Sequence, residues 1–73
     1  MPNMQPGDLV VLISVPQALF FGLPEEDQTA IRSVLGKQVR FAGLAYGQAE
    51  IEFKDDRGDE HTIWVDTDRI KPG

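Results

Sequence analysis

The chain has one histidine, His61, and no cysteine, which limits the chemistry open to it. An imidazole serves as a general base or as a metal ligand. A transition-metal site needs further nitrogen or sulfur donors, and no second histidine or thiolate is present to supply them. His61, Ile63 and Val65 alternate with Thr62, Trp64 and Asp66. That period of two puts His61 on the inner face of a strand, near a hairpin end. Its expected role is that of a partly buried structural histidine. The run Asp55-Asp56-Arg57-Gly58-Asp59-Glu60 gathers carboxylates, the donors that hard cations prefer. It lacks the length and spacing of a calcium loop, and Arg57 sits in its middle, so a solvated hairpin turn is expected and no metal. Ser14 and Ser33 have no histidine and acid to complete a nucleophilic triad. No phosphate-binding glycine loop is present. No catalytic residue and no cofactor are expected.

The aromatic residues suit binding better than catalysis. Trp64 points away from Ile63 and Val65, opposite Glu50. On one reading it is an exposed anchor for a partner. On the other it is the surface that a helix and Phe20-Phe21 cover. Phe20 and Phe21 lie in an irregular segment between Pro16 and Pro24, where one joins the core and the other leaves an apolar patch. Tyr46 sits at a loop tip, and a Tyr46–Trp64 pair would form part of a cage for a cation. Phe20, Phe21, Trp64 and Tyr46 are therefore the candidate partner-binding residues, with the helix side (Phe20, Phe21 and Trp64) as the contact face.

Composition narrows the class of partner. Seven basic and twelve acidic residues in 73 give a net charge of −5. Arg32, Lys37, Arg40, Lys54, Arg57, Arg69 and Lys71 are scattered, so a nucleic-acid backbone is repelled overall. A local patch at Arg32, Lys37 and Arg40 is the one basic grouping to consider. A basic protein partner is attracted. Met1 to Pro6 shows no basic segment followed by an apolar run, so no signal peptide is expected. The apolar stretches Leu9 to Ile13 and Ala18 to Phe21 are too short to span a bilayer. A soluble, cytoplasmic protein is expected, and the lack of cysteine fits a reducing compartment.

These residues must be positioned by few elements, because a chain of 73 residues makes one domain with a modest core. After the turn signal Pro6-Gly7-Asp8, a strand over about 8–14 is apolar on both faces, which predicts cover on both sides. Gln17 to Phe21 reads as a single helical turn or an irregular loop. A helix over about 24–35 follows. Pro24 suits its first position, Glu25, Glu26 and Asp27 favour its N-terminus, and Ala30, Ile31, Val34 and Leu35 make one apolar stripe. Gly36 suits the C′ position.

From Val39 onward the period is two, predicting strands over about 38–45, 49–54, 60–66 and 70–71. Val39, Phe41 and Gly43 share one face, as do Ala49, Ile51 and Phe53. A two-residue Tyr46-Gly47 loop would set Phe41 against Glu52, so a three-residue loop through Gln48 or a bulge is expected, with Phe41 opposite Phe53 and Gly43 opposite Ile51. In the next hairpin, a three-residue loop Asp56-Arg57-Gly58 opposes Phe53 to His61, Ile51 to Ile63 and Lys54 to Glu60. It also puts Gly58 at the left-handed position such loops require. Asp66 to Arg69 reads as a turn.

A strand, a long connection carrying a helix, three meandering strands, a turn and a short fifth strand together resemble the SH3-like barrel. The segments Gly36 to Val39, Ala49 to Phe53 and His61 to Val65 also resemble small bacterial proteins of that architecture with no assigned function. The resemblance implies a mainly β fold, a small five-stranded barrel with one short helix between strands 1 and 2. The helix replaces the long first loop of peptide-binding SH3 domains, and the aromatics and acids that loop carries are absent. The basic, glycine-bearing loop of the ribosomal and transcription-factor relatives is absent too. Barrels of this kind act mostly by binding, which implies a protein-interaction module without catalytic activity. The alternatives are an acidic neutraliser of a basic partner, like an immunity protein or antitoxin, or an accessory subunit or homo-oligomer. Nucleic-acid binding ranks last.

Overall fold

The computed structural model describes residues 4–73. Half of the segment read for a leader, Met1 to Asn3, therefore lies outside the described residues. Five strands and one helix follow in the order β1 (Leu9–Leu12), α1 (Glu25–Ser33), β2 (Gln38–Ala45), β3 (Gln48–Lys54), β4 (Glu60–Asp66) and β5 (Ile70–Pro72). A 3-10 turn over Gln17–Phe20 precedes α1, and another over Thr67–Arg69 precedes β5. The strands form one antiparallel sheet in the order β4-β3-β2-β1-β5. The sheet is mainly antiparallel meander and is not closed, leaving β4 and β5 as its two edges.

One face of the sheet makes the core. Val10 and Leu12 of β1, Val39 and Phe41 of β2, Ala49, Ile51 and Phe53 of β3, Ile63 and Val65 of β4 and Ile70 of β5 are buried together. Ala30 and Ile31 bring α1 onto the same face. The helix is nine residues long and is held in place by this stripe rather than by its own propensity. Its first turn carries Glu25, Glu26 and Asp27 and its last turn Arg32, each complementing the helix dipole. Gln28 Nε2 donates to the carbonyls of Phe20 and Leu23, fixing the approach to the helix. At its exit the Gly36 N–H donates to the Leu12 carbonyl at 2.7 Å, tying the end of α1 to β1.

Several boundaries and faces differ from the sequence expectations. The helix stops at Ser33 rather than at Leu35, with Val34 as the C-cap, so Gly36 (φ 78°) stands one position past C′. Pro24 is the N-cap rather than the first helical residue. Strand β1 ends at Leu12, and Leu9 and Ile13 are exposed. Of the outward side chains of this run, Leu9 and Ile13 are exposed and Val11 is half-buried, so only the inner face is fully covered.

The β2–β3 hairpin also departs from expectation. Its loop is two residues, Tyr46-Gly47, both with positive φ (54° and 77°), as a tight hairpin turn requires. The extra residue that parity demanded lies inside β2 instead, between Phe41 and Gly43. This bulge sets Phe41 opposite Ile51, not Phe53, and turns Gly43 to the outer face opposite Glu50. The β3–β4 hairpin has the expected register: Phe53 opposes His61, Ile51 opposes Ile63 and Lys54 opposes Glu60. Gly58 is left-handed (φ 85°), and Asp55 and Gly58 close the loop with a backbone bond of 3.0 Å.

Candidate functional site

Strand alternation decides what the outer face presents. On β4 the buried Ile63 and Val65 force Trp64 outward, where it is 44% exposed. Directly opposite on β3 stands Glu50, and beyond it on β2 stands Gly43, which has no side chain to fill the row. Pro6 lies over that gap, with its Cγ 3.7 Å from where a Gly43 Cβ would be. Two residues along β4 from Trp64 is Asp66, opposite Gln48 and exposed. Among the described residues, neither Glu50 nor Asp66 is in an ion pair, whereas Glu52 is held by Arg40 at 3.3 Å. Tyr46 is fully exposed in the turn that closes this end of the sheet, and the neighbouring Leu44 is exposed as well. Trp64 thus stands on the outer face with two free carboxylates, Glu50 and Asp66, beside it, whereas the exposed Leu44, opposite the buried Ala49, belongs to the other face of the sheet.

A second group joins α1 to the β3–β4 hairpin. The His61 ring stacks on Phe53, centroids 5.3 Å apart and planes at 16°. Its Nε2 lies 2.9 Å from Asp55 Oδ2, and its Nδ1 lies 3.6 Å from Asp27 Oδ1 on the helix. Asp55 Oδ1 accepts from the backbone N–H groups of Arg57 and Asp59, both at 2.9 Å. The hydrogen bond from His61, with help from these amides and from the Arg57 charge, lowers the Asp55 pKa to about 2. An ionised carboxylate only accepts, so Nε2–H of His61 is the donor. The Arg57 guanidinium is 3.6 Å from both Glu26 and Asp55 and 3.7 Å from Asp59, and Asp55 foremost raises its pKa. The acidic run is thus a hairpin loop folded around Asp55. No three His, Asp or Glu side chains among the described residues are arranged to hold a metal ion.

Between α1 and this hairpin runs an open cleft of about 910 Å³, with Glu26, Ala30, Lys37, Asp55 and Arg57 in its walls. The cleft lies beside the core rather than within it. Acidic and basic side chains both line it, and only Glu26, Asp55 and Arg57 pair with one another, so it selects no charge class of ligand.

The sequence-derived candidates do not form one face. Phe20 is partly buried against the core, and the Arg32 guanidinium lies 4.7 Å from its ring centroid. Phe21 is 76% exposed next to it. Both belong to the connection that packs with α1 on the core side, whereas Trp64 points to the opposite side of the sheet. The helix therefore does not cover Trp64, and the proposed Phe20–Phe21–Trp64 contact face is not assembled. Tyr46 and Trp64 lie toward the same end of the sheet, but Phe53–His61 is the one stacked aromatic pair among the described residues. The basic grouping divides as well: Arg32 is on the helix, Arg40 is paired with Glu52 on the outer face, and Lys37 lines the cleft. Ser14 Oγ accepts from Arg69 and Ser33 Oγ donates to the Ala30 carbonyl. Asp27 and Asp66 were not anticipated as site residues. Parity already placed Asp66 beside Trp64 on one face, but nothing local links Asp27 to His61.

No helix among the described residues is long and apolar enough to cross a membrane. No family model, no curated protein and no solved structure matches this chain.

Proposed function

We propose that this chain is a protein-interaction module that acts by surface contact and carries out no catalysis. The observation that carries the reading is Trp64, 44% exposed on the outer face of an edge strand with the unpaired Glu50 and Asp66 beside it and the exposed Tyr46 toward the same end. Tryptophan and tyrosine are the residues that most often dominate binding energy when they stand on a surface. Kinship with the SH3-like barrel is part of the proposal. It is supported by the strand order β4-β3-β2-β1-β5, the helix between β1 and β2 and the 3-10 turn ahead of β5. A cytoplasmic setting goes with it, on the strength of a cysteine-free sequence. The test is affinity capture from native lysate, with and without nuclease, read by mass spectrometry. A nuclease-resistant partner that a Trp64→Ala chain fails to capture supports the module. A chain that captures nothing, or only nuclease-sensitive material, overturns it.

A second reading, the acidic neutraliser of a basic partner, is favoured by the net charge of −5 and by the unpaired Glu50 and Asp66. Under it, binding weakens steeply with added salt. An accessory or self-associating domain would use the sheet edges as its seam, and light scattering tests that directly.

A further inference from the structure

The two sheet edges are not equivalent. β5 is three residues long and ends in Pro72, which has no N–H to offer a neighbour. β4 is seven residues long, pairs only with β3 and contains no proline. Its outer hydrogen-bonding side is taken by no other strand among the described residues. A long strand edge of this kind is a template for an added strand. We propose that β4 is a docking edge for an extended basic segment of a partner protein, which adds as a sixth strand and lays an Arg or Lys across Trp64.

Charge chooses the occupant. The outward residues of β4 are Glu60, Thr62, Trp64 and Asp66. Across from them on β3, Lys54 faces Glu60 and Glu52 is held by Arg40. The uncompensated negative charge therefore lies at the other end, where Glu50 and Asp66 flank Trp64. A residue of an added antiparallel strand opposite Trp64 would have its Cβ about 5 Å away, close enough for a long side chain to lie on the indole. A cation there meets the ring face and the unpaired carboxylates of Glu50 and Asp66 together. A second copy of this chain is a poor occupant. Antiparallel β4–β4 pairing over the whole strand sets Glu60 against Asp66 at both ends, a like-charge contact that destabilises.

This proposal rests on the interaction-module reading and has its own test. Isotope-labelled protein is titrated with a short peptide alternating Val and Arg, and with its counterpart alternating Val and Glu. The Val–Arg peptide is expected to shift backbone amides along β4, slow their hydrogen exchange and change Trp64 fluorescence. The Val–Glu peptide is expected to do none of the three. Trp64→Ala is expected to weaken binding about fivefold, and the conservative pair Glu50→Gln with Asp66→Asn to remove the salt dependence. Equal binding of both peptides, shifts confined to α1 and the cleft, or an unmoved β4 overturns the proposal. A captured native partner that leaves the β4 amides unmoved overturns it while the module reading stands. A chain that captures nothing yet binds the Val–Arg peptide at β4 does the reverse.

Discussion

His61 and Asp55 are held 2.9 Å apart, Nε2 to Oδ2, where the β3–β4 hairpin turns beneath the start of α1. The Asp55 side chain is only 5% exposed, and all of its bonds run to groups that hold the hairpin loop in shape. The pair joins a loop organised around one carboxylate to a histidine that also faces Asp27 on the helix.

A pH dependence of stability follows. The folded chain holds Asp55 at about 2, below its ordinary value of 3.8. The ionised form is thus favoured by folding, and its contribution is complete above about pH 4. It is lost as pH falls through about 2. Asp55→Asn is expected to lower stability at neutral pH and to flatten the loss between about pH 4 and pH 2. Denaturant titrations at stepped pH check this, and an unchanged slope in the variant would count against it.

Tyr46 holds a left-handed backbone (φ 54°) that asparagine tolerates far better. Tyr46→Asn is expected to raise stability by about 1 kcal/mol. The same change is expected to weaken capture of a partner, since the exposed ring is lost. Stability that rises while binding holds steady would remove Tyr46 from the contact region.

Trp64 emission should resemble that of a water-exposed indole and be quenched readily by acrylamide in the isolated monomer. A blue-shifted, unquenched signal would mean that Trp64 belongs to the core, and the outer-face site would fall with it.

Ile51 is fully buried between Phe41 and Ile63, so Ile51→Ala leaves a cavity at the centre of the sheet. The expected cost is about 2–5 kcal/mol, a large share of the stability of so small a domain. Arg40→Ala removes an exposed pair with Glu52, for which under about 1 kcal/mol is expected. Chemical denaturation of the two variants side by side checks the contrast.

The sequence made the β3–β4 hairpin legible because three independent signals agree there. Alternation, the Lys54–Glu60 pair and a left-handed Gly58 all demand one register, and the structure has it. In the β2–β3 hairpin, parity showed that one residue was extra but not where. A longer tip and a bulge inside the strand restore the same alternation, and the glycine at Gly43 allowed the second. The exposed side of β1 was illegible for a different reason. An apolar run reads the same whether one face is covered or two, and cover depends on which elements the chain later places there. Trp64 was ambiguous for that cause too: its direction was legible, its neighbour was not. The approach of Asp27 to His61 joins residues far apart in sequence and exists only once Ala30 and Ile31 dock the helix.

Pro72 has a consequence for growth of the sheet. A fibril elongates only if every added molecule presents a fresh, competent end to the next. Here one rim turns the outward N–H and C=O groups of a seven-residue strand to solvent, and the other is short and blunted by an imide nitrogen. Molecules stacked head to tail would have to join these unlike rims, and the mismatch stops propagation. The open strand can therefore be occupied once, as a socket is, without making the protein a seed for polymerisation.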